Sequence, residues 1–225
     1  MRELPDDSQE QRANVIATAR AMNASGINVN KSGNVSVRCR RGGRTGYLLT
    51  PSGVPYDRLD PQDIVFMDDA GTAVGRCEPS SEWRFHGAIY TARPDVDAIV
   101  HTHSPHATAL ACHGLSIPAF HYMVAVAGGA DIRCAEYATF GSQALADNAV
   151  IALQGRTACL LAHHGVIACG RSLDRAFALA VEVENLARTY ISARSLGDPP
   201  LLDASEMERV LERFRNYGQP RQNRA

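Results

Sequence analysis

The chain has 225 residues, 45% of them hydrophobic and 21% charged, a balance that supplies an ordinary globular core and excludes a disordered chain. Its 23 basic and 24 acidic residues leave a formal charge of −1, which excludes the basic footprint of a general nucleic-acid binder and leaves room for a small anionic ligand. No run approaches the ~20 apolar residues that a bilayer span requires, and the polar, acidic start MRELPDDSQEQ carries no apolar leader segment, so a cytoplasmic protein without membrane contact is expected.

From Asp6 to Ser25 the apolar Val15, Ile16, Ala19 and Met22 recur at helical spacing, and Gly26 follows where a left-handed cap would end the helix. Val35–Arg38 and Tyr47–Thr50 flank Arg41-Gly42-Gly43-Arg44, the pattern of a hairpin with a loose connection. Pro51-Ser52-Gly53 breaks the second strand, a third is expected from Asp63 to Met67, and Asp68–Gly71 is turn chemistry. A helix is predicted over Ser80–Arg93, with Ser80 or Ser81 as N-cap and Pro94 as its stop. Asp97–His103 reads as a strand that runs into a helix begun by Ser104-Pro105, and Ile117–Ala127 as an extended segment. Ser142–Gln154 is predicted helical, Thr157–Ala162 and Val166–Cys169 as strands around His163-His164-Gly165, and Ser172–Ser195 and Ser205–Asn216 as the closing helices. The sum is an α/β chain with one mixed, largely antiparallel sheet covered by helices in three layers. It is read as one domain over residues 1–225 with a mobile tail from about Gly218.

The six cysteines are scattered without a CxxC pair and read as buried thiols in a reducing compartment. Lys31 is the only lysine, so a Schiff-base mechanism has a single candidate amine, and it sits in a glycine-containing loop rather than an apolar pocket.

Five of the eight histidines fall between His101 and His121. His101-Thr102-His103 ends a predicted strand, where residues i and i+2 share a face, so both imidazoles can approach one ion. A catalytic zinc site takes three protein ligands and keeps one position open, and His163-His164 is the obvious source of the third, with only one of the pair able to reach the metal. His86, His106, His113 and His121 read as packing or surface residues. Three polar segments suit an anion: Lys31-Ser32-Gly33-Asn34, Ser52-Gly53, and Ser80-Ser81 at a predicted helix N-terminus. Glu82 follows directly; a carboxylate there either complements the helix dipole or serves as a general acid/base beside a metal.

The segments SGNVSVR (32–38), LTPSGVPY (49–56), PSSEWRFH (79–86), VHTH (100–103), FHYM (120–123), AGG (127–129), YATFG (137–141) and HHG (163–165) occur in the order of the class II aldolase/adducin family, which the chain resembles from about Arg12 to Gly218. The resemblance implies Zn2+ as cofactor, with His101, His103 and His164 as ligands. It implies Glu82 as catalytic acid/base, able to ligate zinc when substrate is absent, and Gly33, Asn34, Ser52, Gly53, Ser80 and Ser81 as phosphate-binding residues. Tyr122 corresponds to a tyrosine that reaches the substrate from an adjoining subunit of a four-fold symmetric homotetramer, and Tyr217 to one on a C-terminal tail that closes over the site. The first loop departs from the family's small-residue run, carrying Asn30-Lys31-Ser32. The implied activity is metal-dependent retro-aldol cleavage of a ketose 1-phosphate to dihydroxyacetone phosphate and an aldehyde. Decarboxylation, 4-epimerisation and dehydration of related sugar phosphates or sugar-acid phosphates are the alternatives on the same scaffold. Glu82 favours the aldolase, since the epimerases of the family carry aspartate at that position.

Overall fold

Alternation along the strands decides the architecture. Strands β1 (Asn34–Arg41), β2 (Arg44–Leu49), β3 (Val65–Asp68), β4 (Ala73–Val74), β5 (Ala98–Thr102), β6 (Cys134–Ala135), β7 (Ala158–Leu161) and β8 (Gly165–Gly170) form one sheet in the order β4-β3-β2-β1-β5-β8-β7-β6. β6 and β7 are parallel and every other neighbouring pair is antiparallel. The structure is a computed structural model that describes residues 4–216; Tyr217 and the tail expected from Gly218 lie outside the described residues.

Every second strand residue points to the same side. Val35, Leu48, Phe66, Val100, Leu160 and Val166 face one layer, made by α1 (Gln9–Ala24), α3 (Pro105–Cys112), α5 (Leu173–Arg194) and α6 (Ala204–Asn216). Leu49, Val65, Ile99, Leu161 and Ile167 face the other, made by α2 (Trp83–Ala92) and α4 (Gln143–Ala152). Each fully buried aliphatic side chain contributes roughly 1.5–3 kcal/mol, against about 0–1 kcal/mol for an exposed ion pair, so these two apolar layers fix the sheet.

The structure corrects four expectations. The β1–β2 connection is tight: Gly42 and Gly43 have φ of +56° and +80°, the two positive values of a two-residue type I′ turn. Helix α2 starts at Trp83 rather than at Ser80, with no side-chain cap, because Pro79 bridges Pro51 and the Ser80 amide donates to the Thr50 carbonyl, holding this stretch extended. Residues 117–127 are not a strand. Only Ile117 pairs, with Ile132, and Tyr122–Ala127 is a 3-10 turn closed by Gly128 at φ +87°; a short apolar run fits either period, and the His121 ring, accepting from the Met123 amide, tips it to the helical one. The cysteines are free thiols, but only Cys39, Cys159 and Cys169 are buried and Cys112 is exposed.

Candidate active site

Strand β5 lies mid-sheet between β1 and β8 and carries His101 on the side of α2. His103 follows one residue beyond the strand, and α3 begins two residues later with Ser104 as its cap position. The expected Ser104 cap bond is not made; Glu184 of α5 instead accepts from the His106 and Ala107 amides, 3.0 Å each, and from His106 Nδ1 at 2.7 Å. The chain leaving His103 is thereby pinned to α5. His164 sits in the tight turn between β7 and β8, where His163 takes φ +55°; His163 points outward against Tyr137, ring centroids 5.7 Å apart.

Close backbone approach on both sides of β5 brings these residues together. A Cβ on Gly33 would stand 2.4 Å from the His101 carbonyl oxygen, and one on Gly165 would stand 2.4 Å from that of Thr102, so both positions require glycine. The rings of His101, His103 and His164 are mutually 4.9 Å apart, centroid to centroid, with planes crossed at 75–84°. His101 Nε2 lies 3.0 Å from His103 Nε2 and 3.2 Å from Glu82 Oε2, and His164 Nε2 lies 3.0 Å from Glu82 Oε1. One ligand atom from each of these four residues falls within 4.8 Å of every other.

The donor set fits a metal ion. His101 Nδ1 contacts the Val166 carbonyl oxygen at 2.8 Å; only a protonated Nδ1 can donate there, which turns the Nε2 lone pair to the cluster, the second contact typical of a metal-bound imidazole. Glu82 Oε1 is buried and, despite its 3.0 Å approach to His164, has no hydrogen-bond partner. Three imidazoles and a carboxylate are borderline-soft nitrogen and hard oxygen donors, the set that zinc takes. Burial alone pushes the Glu82 carboxyl up, but the His101 and His164 imidazoles outweigh it and hold it well below the usual carboxylate range. Burial, then His101 and His164, push His103 down to about 3, leaving it neutral and able to ligate.

The three anion-ready loops meet beside this cluster. Lys31 Nζ donates to the Gly53 carbonyl at 2.7 Å, the Ser52 amide to the Glu78 carbonyl at 3.0 Å, and the Glu82 amide to Ser80 Oγ at 3.3 Å. Lys31 therefore stitches two loops together. Ser80 Oγ accepts from the Glu82 amide, so its own proton is left to donate. Asn34, expected among the phosphate contacts, has its side chain committed elsewhere: Nδ2 donates to Glu82 Oε2 at 2.8 Å and Oδ1 meets His86 Nε2. Ser52, Gly53 and Ser81 are exposed, whereas Gly33 and Ser80 are buried. Tyr122 stands on the outer surface with its ring 4.8 Å from that of His121, and none of its described contacts reaches the histidine cluster.

Residues 13–191 match the family profile of the "Class II Aldolase and Adducin N-terminal domain". The chain belongs to the class II aldolase and adducin family. It is 52% identical over 215 residues, 96% of each chain, to the 5-methylthioribulose-1-phosphate/5-deoxyribulose-1-phosphate aldolase of Rhodospirillum rubrum. It is 47% identical to the L-fuculose phosphate aldolase of Escherichia coli K12 over 205 residues, 91% of this chain and 94% of that one. A solved L-fuculose 1-phosphate aldolase superposes with a TM-score of 0.88 at 41% identity, over 92% of this chain and 97% of that one. The protein is thus a class II aldolase, a metal-dependent aldehyde-lyase acting in sugar-phosphate chemistry. Among the described residues no helix is long and apolar enough to cross a membrane.

Sequence reasoning missed the polar residues behind Glu82. His86 passed as packing, yet Glu82, His86 and Tyr90 recur every four residues on a face that also carries buried Phe85 and Ile89. A polar stripe on a core-facing helix was the available signal.

Proposed function

We propose that this aldolase holds zinc on His101, His103 and His164, with Glu82 completing the ligand set in the absence of substrate, and cleaves a ketose 1-phosphate between C3 and C4 to dihydroxyacetone phosphate and an aldehyde. The observation that carries this reading is the convergence of three imidazoles on a buried carboxylate whose Oε1 lacks a hydrogen-bond partner. A divalent ion bound there supplies Lewis-acid polarisation of the substrate carbonyl. Glu82 carries the proton at C3: as the carboxylate it takes it in the synthetic direction, and as the acid so formed it returns it in cleavage. The hydroxyls of Ser52, Ser80 and Ser81 and the backbone at Gly33 and Gly53 anchor the phosphate, so the fragment that keeps it stays bound while the aldehyde leaves. Tyr122, supplied by a neighbouring subunit of a homotetramer, exchanges the proton of the C4 hydroxyl. Its half-exposed position beside an apolar groove lined by Phe120, Met123, Val210 and Phe214 supports that placement.

For the aldehyde end, Tyr137 and Phe140 are 61% and 68% exposed in a loop seated against the Ser81 carbonyl at Gly141. Two bare aromatic rings beside the site favour an apolar terminus, as in the 5-deoxy and 5-methylthio pentulose 1-phosphates for which the R. rubrum relative is named. L-Fuculose 1-phosphate, whose aldehyde is longer by a hydroxylated carbon, is the second substrate. The test is dihydroxyacetone phosphate release from 5-deoxyribulose 1-phosphate and L-fuculose 1-phosphate, before and after chelation. The expected result is release from both, a higher kcat/KM for the former, loss in EDTA and recovery with zinc. Full turnover by stripped protein, or no dihydroxyacetone phosphate from either sugar, contradicts the reading.

A further inference from the structure

Behind Glu82 runs a buried polar seam that the mechanism above leaves unused. Glu82, His86 and Tyr90 lie on one face of α2 and its first turn, and Asn34 and Ser36 lie on one face of β1; the two rows interdigitate. Asn34 Nδ2 donates to Glu82 Oε2 at 2.8 Å, Asn34 Oδ1 meets His86 Nε2 at 2.5 Å, His86 Nδ1 meets Ser36 Oγ at 2.7 Å, and Ser36 Oγ meets Tyr90 OH at 2.7 Å. Asn34, Ser36, His86 and Tyr90 are each exposed by 3% or less, so bulk water does not replace any of these bonds.

Counting protons from the Glu82 end fixes the direction of the chain. An ionised carboxylate only accepts, so Asn34 must present its NH2 and leave its oxygen facing His86. That oxygen needs a donor, which places the His86 proton on Nε2. A neutral imidazole carries one N–H, so Nδ1 accepts from Ser36, and Ser36 in turn accepts from Tyr90. Burial pushes His86 down to about 3, which keeps it to a single proton. The reversed chain would set the Asn34 oxygen against the Glu82 oxygen, two acceptors at hydrogen-bond distance with no proton between them.

We propose that His86 is a positioning residue for the aldol reaction: through Asn34 it ties Glu82 Oε2, the oxygen on the His101 side, into a hydrogen bond and leaves Oε1, 3.0 Å from His164, as the oxygen without a hydrogen-bond donor. The inference rests on the proposed role of Glu82 as proton carrier. An apolar side chain at 86 removes the donor that orients the Asn34 amide, and with it the definition of which carboxylate oxygen acts.

Two measurements on the zinc-loaded protein test this. Nitrogen-15 NMR of histidine-labelled parent protein reads the tautomer without reference to catalysis; the expected signature is a protonated Nε2 and an unprotonated Nδ1 at His86, and the opposite tautomer overturns the proposal. Kinetically, His86→Leu is expected to lower kcat roughly 10–100-fold, the usual cost of a lost outer-shell partner, with KM and zinc content little changed. His86→Gln, whose amide nitrogen can reach the same Asn34 oxygen, is expected to recover most of that loss. His86→Leu as fast as the parent, or His86→Gln as slow as His86→Leu, overturns the proposal. Should His86→Leu fail to fold, the tautomer in the parent still decides. Failure of the Glu82 reading looks different: Glu82→Gln would then turn over at the parent rate while the His86 tautomer stayed as predicted.

Discussion

At the histidine corner Glu82 and His101 are buried and His103 and His164 half-buried, and second contacts hold His101 to the Val166 carbonyl, Glu82 to Asn34, and the chain beyond His103 to Glu184. At the rim formed by residues 120–123 and α6, Tyr122 is 51% exposed and borders an apolar groove. The corner is thus preorganised within one chain, where dipoles and ligands aimed at developing charge need no rearrangement when the bond breaks. On the proposed reading the Tyr122 phenol at the rim acts only in the site of another subunit. The groups proposed to act at C3 and at the phosphate are local, and the group proposed for the aldehyde end is shared.

The harshest way to break this contrast is at the corner. His101→Ala is expected to lose bound zinc and retro-aldol turnover together, by at least roughly a thousandfold, because Lewis-acid polarisation supplies several kcal/mol and each ~1.4 kcal/mol is tenfold; zinc content and initial rates check it. The rim is sharpened by complementation. Glu82→Gln and Tyr122→Phe are each expected to lose roughly a hundredfold or more in kcat, and co-assembled subunits of the two variants should be faster than either alone. No gain on mixing would place Tyr122 and Glu82 of one chain in the same site.

Smaller effects probe the scaffold. Gly33→Ala sets a Cβ 2.4 Å from the His101 carbonyl and 2.7 Å from Asn28 Oδ1, and overpacking of this kind costs about 1–3 kcal/mol; a thermal midpoint lower by roughly 2–4 °C per kcal/mol is expected. The gentlest test is acid sensitivity. His86 sits at about 3 in the fold against an ordinary 6.5, so between those values the unfolded chain binds a proton that the folded chain does not. The stability tied to a neutral His86 is complete above 6.5 and drains away as pH falls towards 3. His86→Gln should flatten that part of the midpoint-versus-pH curve measured by calorimetry.

Much of the corner was legible because its signals are local. His101 and His103 sit two residues apart at a strand end, and the His163-His164-Gly165 turn needs only sequence order to be noticed. What periodicity left open at 163–164 the left-handed backbone at His163 decides, turning that ring outward and His164 inward. The seam was not legible, because Asn34 and His86 meet only through the packing of α2 on β1, a tertiary pairing across 52 positions of sequence. The same cause hid the start of α2: Ser80 and Ser81 have the chemistry of an N-cap, but pairing of residues 50–52 with 78–80 overrides it. Residues 117–127 failed differently, since an apolar run that short has no decisive period.

The central claim is that one ion sits among His101, His103 and His164 beside Glu82. Anomalous diffraction from crystals of zinc-loaded protein, collected on both sides of the zinc absorption edge, tests it most directly. A single peak within bonding distance of the three Nε2 atoms is the predicted result. A peak held by other residues, or none at this position in crystals of protein that releases dihydroxyacetone phosphate, would contradict it.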